Sequence, residues 1–273
     1  MDIIQLIILI IIAISGTVFG SFFTLAVHRI PKKEDITHER SYCPKCNHKL
    51  QFLDLIPVWS YIFLGGKCRY CQNKIRPRYL LLEIFSGLVF LMLGLSYGIS
   101  IETSIAGFIY FALLVLFLCC IFIVAGIDKE KYIIPNGIII YGLGISVLKL
   151  AWKIWNGMSI ITNIIGFLAI PVLMYIINLI VTKVLKKEEA PFGGGDIKYL
   201  SVLGLFLGFG TQVLAIISSL ILVLVWKIVE AILKRENKKI AWGFFLSIAS
   251  AILLILTPHI KDVIELFDFM ILI

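Results

Sequence analysis

Pro191-Phe192-Gly193-Gly194-Gly195-Asp196-Ile197-Lys198, with the apolar run Tyr199 to Val225 behind it, is the stretch on which the fold turns. Three glycines place one carboxylate where polar sequence re-enters a hydrophobic segment. An acid is costly in a bilayer, and one at such a position is a functional candidate by default. The plainer reading is a turn with a helix N-cap, since Gly favours turns and Asp favours caps. Alone, the stretch does not separate the two, nor say whether the run behind it crosses a membrane once or twice.

Working outward, the 273 residues are 60% hydrophobic and 15% charged, with mean hydropathy +1.02. A soluble domain would be near 45–50% apolar. Runs long enough to span a bilayer recur, at Ile3–Val27, Tyr79–Tyr97, Thr103–Gly126, Ile133–Trp152, Ile160–Thr182 and Ala241–Thr257. The expected fold is therefore an all-α polytopic membrane protein. The first run lacks a basic segment before it and has one after it (His28 to Lys33), the reverse of a secretory signal. It reads as an uncleaved span with its N-terminus outside.

The charges orient the rest. Residues 29–78 hold 11 of the 25 Lys and Arg residues. If that loop is cytoplasmic and the spans alternate, 22 basic residues fall inside and only Lys149, Lys153 and Lys261 outside. The net charge of +8 is then an orientation signal with some attraction to anionic lipid, not a reason to expect nucleic acid. The same alternation requires a break near Gly208-Phe209-Gly210-Thr211-Gln212, which gives about eight spans, with seven as the alternative. The first piece is short, about thirteen residues against the ~20 of a full span, as a wet cavity beside it would allow. The divisions are 1–28 for the first span, 29–78 for a cytoplasmic loop domain, 79–258 for the membrane core and 259–273 for a tail.

Cys43-Pro44-Lys45-Cys46 and Cys68-Arg69-Tyr70-Cys71 stand 21 residues apart in the loop. Two such pairs read as a four-thiolate zinc site, with two disulfides as the alternative. A reducing compartment favours zinc, and a fifty-residue loop with little core needs metal to hold it. Four protein ligands leave no open position, so the role is structural. His48 reads as a surface residue, and Cys119 and Cys120, mid-span, as packing.

Asp128 ends the third span in Gly126-Ile127-Asp128-Lys129, on the same side as Asp196 by alternation. Two loop acids with no relation are one reading. A carboxylate dyad is the other: two close carboxyls cannot both ionise cheaply, so one keeps its proton. The ionised partner takes a proton from an attacking water while the protonated one donates to the carbonyl oxygen, and the pair titrates as a unit. Gly193, Gly194 and Gly195, lacking Cβ atoms, let an extended peptide backbone approach. Glu83 enters the second span, either snorkelling or in polar contact with the cysteine loop or a cofactor.

At these residues the chain resembles the type IV prepilin peptidases, bacterial members of the GxGD membrane aspartyl proteases. The resemblance runs over Gly20-Ser21-Phe22, His28-Arg29-Ile30-Pro31, both cysteine pairs, Asp54-Leu55-Ile56-Pro57, Ser60-Tyr61, Arg78-Tyr79, Glu83, Asp128, Ile134-Pro135-Asn136 and Gly193 to Lys198. It implies an enzyme that cuts the basic leader from prepilins or pseudopilins at the cytoplasmic face of the bacterial inner membrane, with Asp128 and Asp196 as the catalytic pair. It places Gly193, Gly194, Gly195 and Lys198 at the substrate. It also implies N-methylation of the new N-terminus with S-adenosylmethionine, linked to the zinc-loop region. No glycine-rich dinucleotide fingerprint marks the cofactor's site, and Glu83 is the one candidate contact. A GxGD protease for other membrane substrates and an ion-coupled transporter are the alternatives. A transporter would show repeated halves and acids at mid-membrane, neither of which this sequence has. Oligomeric state carries no sequence signal.

Overall fold

A computed structural model describes residues 3–36, 38, 40–100, 102–184, 191–234 and 239–272. Lys186, Lys187, Arg235 and Lys238, used above to orient the spans, lie outside the described residues, as does Ile273 of the tail. The described chain is helical, without strands, and forms two compact units that meet in sequence near residue 108.

The first unit pairs α1 (Ile3–Arg29) with α3 (Arg78–Ser96), and the cysteine loop with α2 (Trp59–Phe63) connects them. Small residues make the pairing close. Ser86 Oγ donates to the Gly16 carbonyl at 2.8 Å. A Cβ at Gly20 would overlap Ser86 Oγ, and one at Gly87 would lie 2.7 Å from Thr17 Cγ2. In lipid, where water does not drive helices together, such near contact of backbones is what holds them.

The second unit takes in most of α4 (Ile105–Lys131), then α5 (Asn136–Trp155), α6 (Ile161–Leu179), α7 (Gly194–Leu207), α8 (Phe209–Ile232), α9 (Trp242–Leu256) and α10 (Lys261–Leu272). Its centre is α7. Tyr199, Leu200, Val202, Leu203 and Phe206 are fully buried, and the Phe206 ring stacks on Phe117 of α4 at 3.7 Å between centroids. Cys119 and Cys120 are buried free thiols in the same packing. Gly166 of α6 and Gly204 of α7 cross with no room for a side chain at either.

The apolar run after Asp196 does break, at Gly208, whose φ of 89° and ψ of 165° belong to glycine alone. The short helix before the break ends inside the bundle, and side chains satisfy its carbonyls. Lys149 Nζ donates to Phe206 O (2.7 Å) and Asn163 Nδ2 to Leu205 O (3.0 Å), while Gln212 Nε2 reaches back to Leu200 O in the middle of the helix (2.8 Å). Helix-terminal carbonyls left unpaired away from water would be strongly destabilising.

Six described helices are long and apolar enough to cross a membrane: α1, α3, α4, α5, α6 and α8. Counting α9 with α10, bent by 115°, as one broken span gives seven. The eight expected from charge alternation included α7. Its 14 residues rise about 21 Å against a ~30 Å hydrocarbon core, so it does not qualify by length.

Candidate functional site

Asp128 lies in the last turn of α4 and is buried. The chain leaves the helix through Tyr132, at φ 57°, whose N–H bonds back to the Asp128 carbonyl at 2.9 Å. Pro135 then fixes the start of α5. The Asp128 carboxylate turns toward the first turn of α9, where Oδ2 accepts the Phe244 N–H at 2.9 Å. Gly243 makes the approach possible, since a Cβ there would lie 3.0 Å from Oδ2. The carboxylate thus takes an orphan N–H at a helix N-terminus, where the helix dipole favours negative charge.

Asp196 is the third residue of α7, behind Gly193 at the N-cap, and is half-buried. Its Oδ2 folds back over Gly193, so closely that a Cβ there would fall 2.9 Å away. The cap geometry and the glycine run are therefore one device: the acid sits on its own helix start because the residue beneath it has no side chain. Ile134 stands between the two acids' supports. A Cβ at Gly195 would lie 3.3 Å from Ile134 Cβ, and one at Gly243 3.1 Å from Ile134 Cδ1. The two carboxylates, 68 residues apart in sequence, are near enough for their charges to act on each other. Gly194 faces open space. Lys198 is exposed and donates to Asn136 Oδ1 at 3.0 Å, tying the start of α7 to the start of α5.

Three supports of this site escape the sequence reading. Asn178 of α6 clamps the loop before the glycines: its Nδ2 donates to Phe192 O at 2.9 Å, and its Oδ1 accepts the Phe192 N–H at 3.1 Å. The Phe192 ring meets Trp242 at 5.6 Å, next to the Gly243-Phe244 turn that holds Asp128. Tyr199, directly behind the site, hydrogen-bonds Ser247 of α9 at 2.9 Å. An Asn near the end of a largely apolar span is a signal available for the first. Nothing in sequence marks Gly243.

In the first unit the four cysteines come together. Their Sγ atoms all lie within 4.8 Å of one another, with Cys43 and Cys71 at 3.9 Å. A tetrahedral ion with metal–sulfur bonds of ~2.3 Å sets its sulfurs about 3.8 Å apart, so the cluster can take a metal. The two pairs fold alike. Asn47 N–H bonds to Cys43 O (2.8 Å) and Gln72 N–H to Cys68 O (2.9 Å), with positive φ at Asn47 and Gln72. Burial disfavours ionising the Cys43 thiol, but the backbone N–H groups of Cys46 and Lys45 and the nearby sulfurs outweigh it and bring it down to about 7. His48 is not among the clustered ligands; it packs on the Tyr70 ring at 3.6 Å. Glu83 reaches the loop, its Oε2 accepting the Val58 N–H at 2.7 Å.

Comparison with known proteins gives one family twice. Residues 14–97 match the bacterial peptidase A24 N-terminal domain and residues 114–228 the type IV leader peptidase family. The chain is 31% identical to a prepilin leader peptidase/N-methyltransferase of Vibrio cholerae over 229 residues, 80% of this chain and 85% of that protein. It is 32% identical to one of Bacillus subtilis over 201 residues, 72% of this chain and 73% of that protein. It is 25% identical to one of Aeromonas salmonicida over 266 residues, 86% of each. No solved structure matches the chain.

Proposed function

We propose that this chain, which belongs to the type IV leader peptidase family, is a membrane-embedded aspartic endopeptidase that removes the basic leader from prepilins or pseudopilins. Asp128 and Asp196 are its catalytic pair. The observation that supports this reading is nearness: acids from two helices lie close enough for their charges to interact, each over a helix start kept bare by Gly193 or Gly243. One shared proton serves the reaction. The ionised carboxyl accepts a proton from water as its oxygen attacks the scissile carbonyl carbon, and the protonated carboxyl gives its proton to the carbonyl oxygen. On collapse the C–N bond breaks, the leaving nitrogen takes a proton from the dyad, a hydroxyl of the gem-diol returns one to it as the carbonyl re-forms, and the starting state is restored. Gly194, open to its surroundings, offers the approach for the substrate backbone, with Gly193, Gly195 and Lys198 beside it. The pair titrates as a unit, so neither Asp is assigned one role.

The charge distribution supports a cytoplasmic catalytic face with the N-terminus outside, in a bacterial inner membrane. Zinc is the ion the four thiolates suit, in a closed structural site that takes no part in the chemistry. The relatives' second activity implies S-adenosylmethionine, whose sulfonium methyl would pass to the new terminal amine. Among the described residues no glycine-rich nucleotide turn marks its place, so no residue is assigned to it.

Mass spectrometry of a prepilin co-expressed with the chain tests both activities. The expected product has lost its leader and gained the mass of one CH2, a methyl in place of an amine hydrogen. A prepilin recovered at full length would overturn the peptidase, and a cleaved but unmodified product would remove the methyl transfer alone.

A further inference from the structure

Glu83 sits five residues past the first residue of α3, about 7 Å along the helix axis. It is flanked by α1, since a Cβ at Gly20 would lie 2.9 Å from Glu83 Cα. Both helices are membrane spans by length and composition. Yet the Glu83 carboxylate is bonded at 2.7 Å to the backbone N–H of Val58 in the loop. The loop is therefore tied by its backbone to the first turns of α3.

The tied turn has an unusual backbone. Val58 has φ 64° and ψ −53°, with the Trp59 N–H bonded to Pro57 O at 2.6 Å: a γ-turn of the positive-φ kind centred on a β-branched residue. Such strain persists only where surroundings impose it, and the Glu83 carboxylate grips the N–H of the strained residue. The turn opens directly into α2, whose apolar residues point away from the protein. Trp59 is 61% and Phe63 78% exposed, their rings stacked at 5.7 Å, and Phe52 of the preceding turn is 78% exposed. Lys67, Lys74 and Arg76, which follow α2, are exposed.

We propose that α2 and the Phe52–Asp54 turn form an in-plane anchor, with Trp59, Ile62 and Phe63 inserted at the headgroup–acyl boundary, which holds the four-cysteine knot against the membrane surface. Three observations select lipid as the occupant. The Glu83 bond ties α2 to the first turns of a span, the exposed face carries Trp and Phe as interfacial segments do, and the flanking cations complement anionic headgroups. The knot is coupled to the anchor through the backbone, with Gly66 N–H on Tyr61 O (2.8 Å) and Ile75 N–H on Gly66 O (2.7 Å). The inference rests on the reading of α1 and α3 as spans.

The test is tryptophan quenching in phosphatidylethanolamine–phosphatidylglycerol vesicles doped with phosphatidylcholine brominated near the headgroup end of its chains. The full chain is compared with Trp59→Phe, which keeps the apolar face. The difference between their emissions reports Trp59, and the other four tryptophans report insertion. The expected result is at least a twofold loss of the Trp59 signal with brominated lipid and little loss with aqueous acrylamide. Quenching by acrylamide alone would overturn the anchor by placing the loop in water. Quenching by neither would overturn it by showing a protein surface over α2. Phe63→Trp in the Trp59→Phe background repeats the measurement four residues on, with the same expected result. If none of the tryptophans responds to brominated lipid, the membrane reading of the spans fails, and the anchor with it.

Discussion

Asn178 makes two hydrogen bonds to one residue, Phe192, and so sets where the chain enters Gly193 to Asp196. Each such bond contributes on the order of 1 kcal/mol. Asn178→Ala is expected to slow leader cleavage about tenfold or more with the fold intact, because Asp196 loses its fixed height against Asp128. Asn178→Asp, which keeps the acceptor for the Phe192 N–H but not the donor, should fall between. Unchanged turnover in Asn178→Ala would contradict the clamp. In the cysteine loop Asp54 plays the comparable part, binding Arg69 Nε at 2.7 Å, the Tyr70 hydroxyl at 3.1 Å and the Gln51 N–H at 3.1 Å. Burial alone would raise its carboxyl, but these partners hold it below the usual aspartate range. A group with a lowered folded pKa stabilises fully above its unfolded value of ~3.9, and the contribution fades as pH falls through the folded value. Asp54→Asn should therefore cost about 1–2 kcal/mol at pH 7, discounted because Arg69 is half exposed. The gap from wild type should narrow below about pH 4. Denaturant titrations of the loop at both pH values check this, and a constant gap would count against it.

Among the elements, α7 shows how far the sequence could be read. Charge alternation demanded a break within Tyr199–Val225, and the break is at Gly208. What the charges could not supply was the manner of the ending. The last α7 carbonyls rest on Lys149 and Asn163, polar residues of other spans whose partners are distant in sequence. The same holds for Gly243, a glycine in an apolar helix whose purpose appears only when Asp128 is placed against it. The cysteine cluster was legible because its two Cys-x-x-Cys pairs carry the metal geometry in their spacing. Gly208→Ala is expected to lower stability by about 1–3 kcal/mol, since no residue with a Cβ adopts that backbone cheaply. A melting temperature equal to wild type would show that the break tolerates another geometry.

Over the whole molecule, the acids and the metal ligands belong to different compact units, which predicts that they fail differently. Metal analysis of the purified chain should find one zinc per molecule, absent in Cys43→Ser and Cys71→Ser. Metal loss should loosen the loop, since binding energy is folding energy in so small a segment. A wild-type chain free of zinc would remove that claim. The central claim is the pairing of Asp128 with Asp196, and its most direct measurement is leader cleavage of a purified prepilin by Asp128→Asn and Asp196→Asn, each first shown to insert in membranes. The pairing predicts that both variants insert and that neither cleaves. Full cleavage by either one would contradict it.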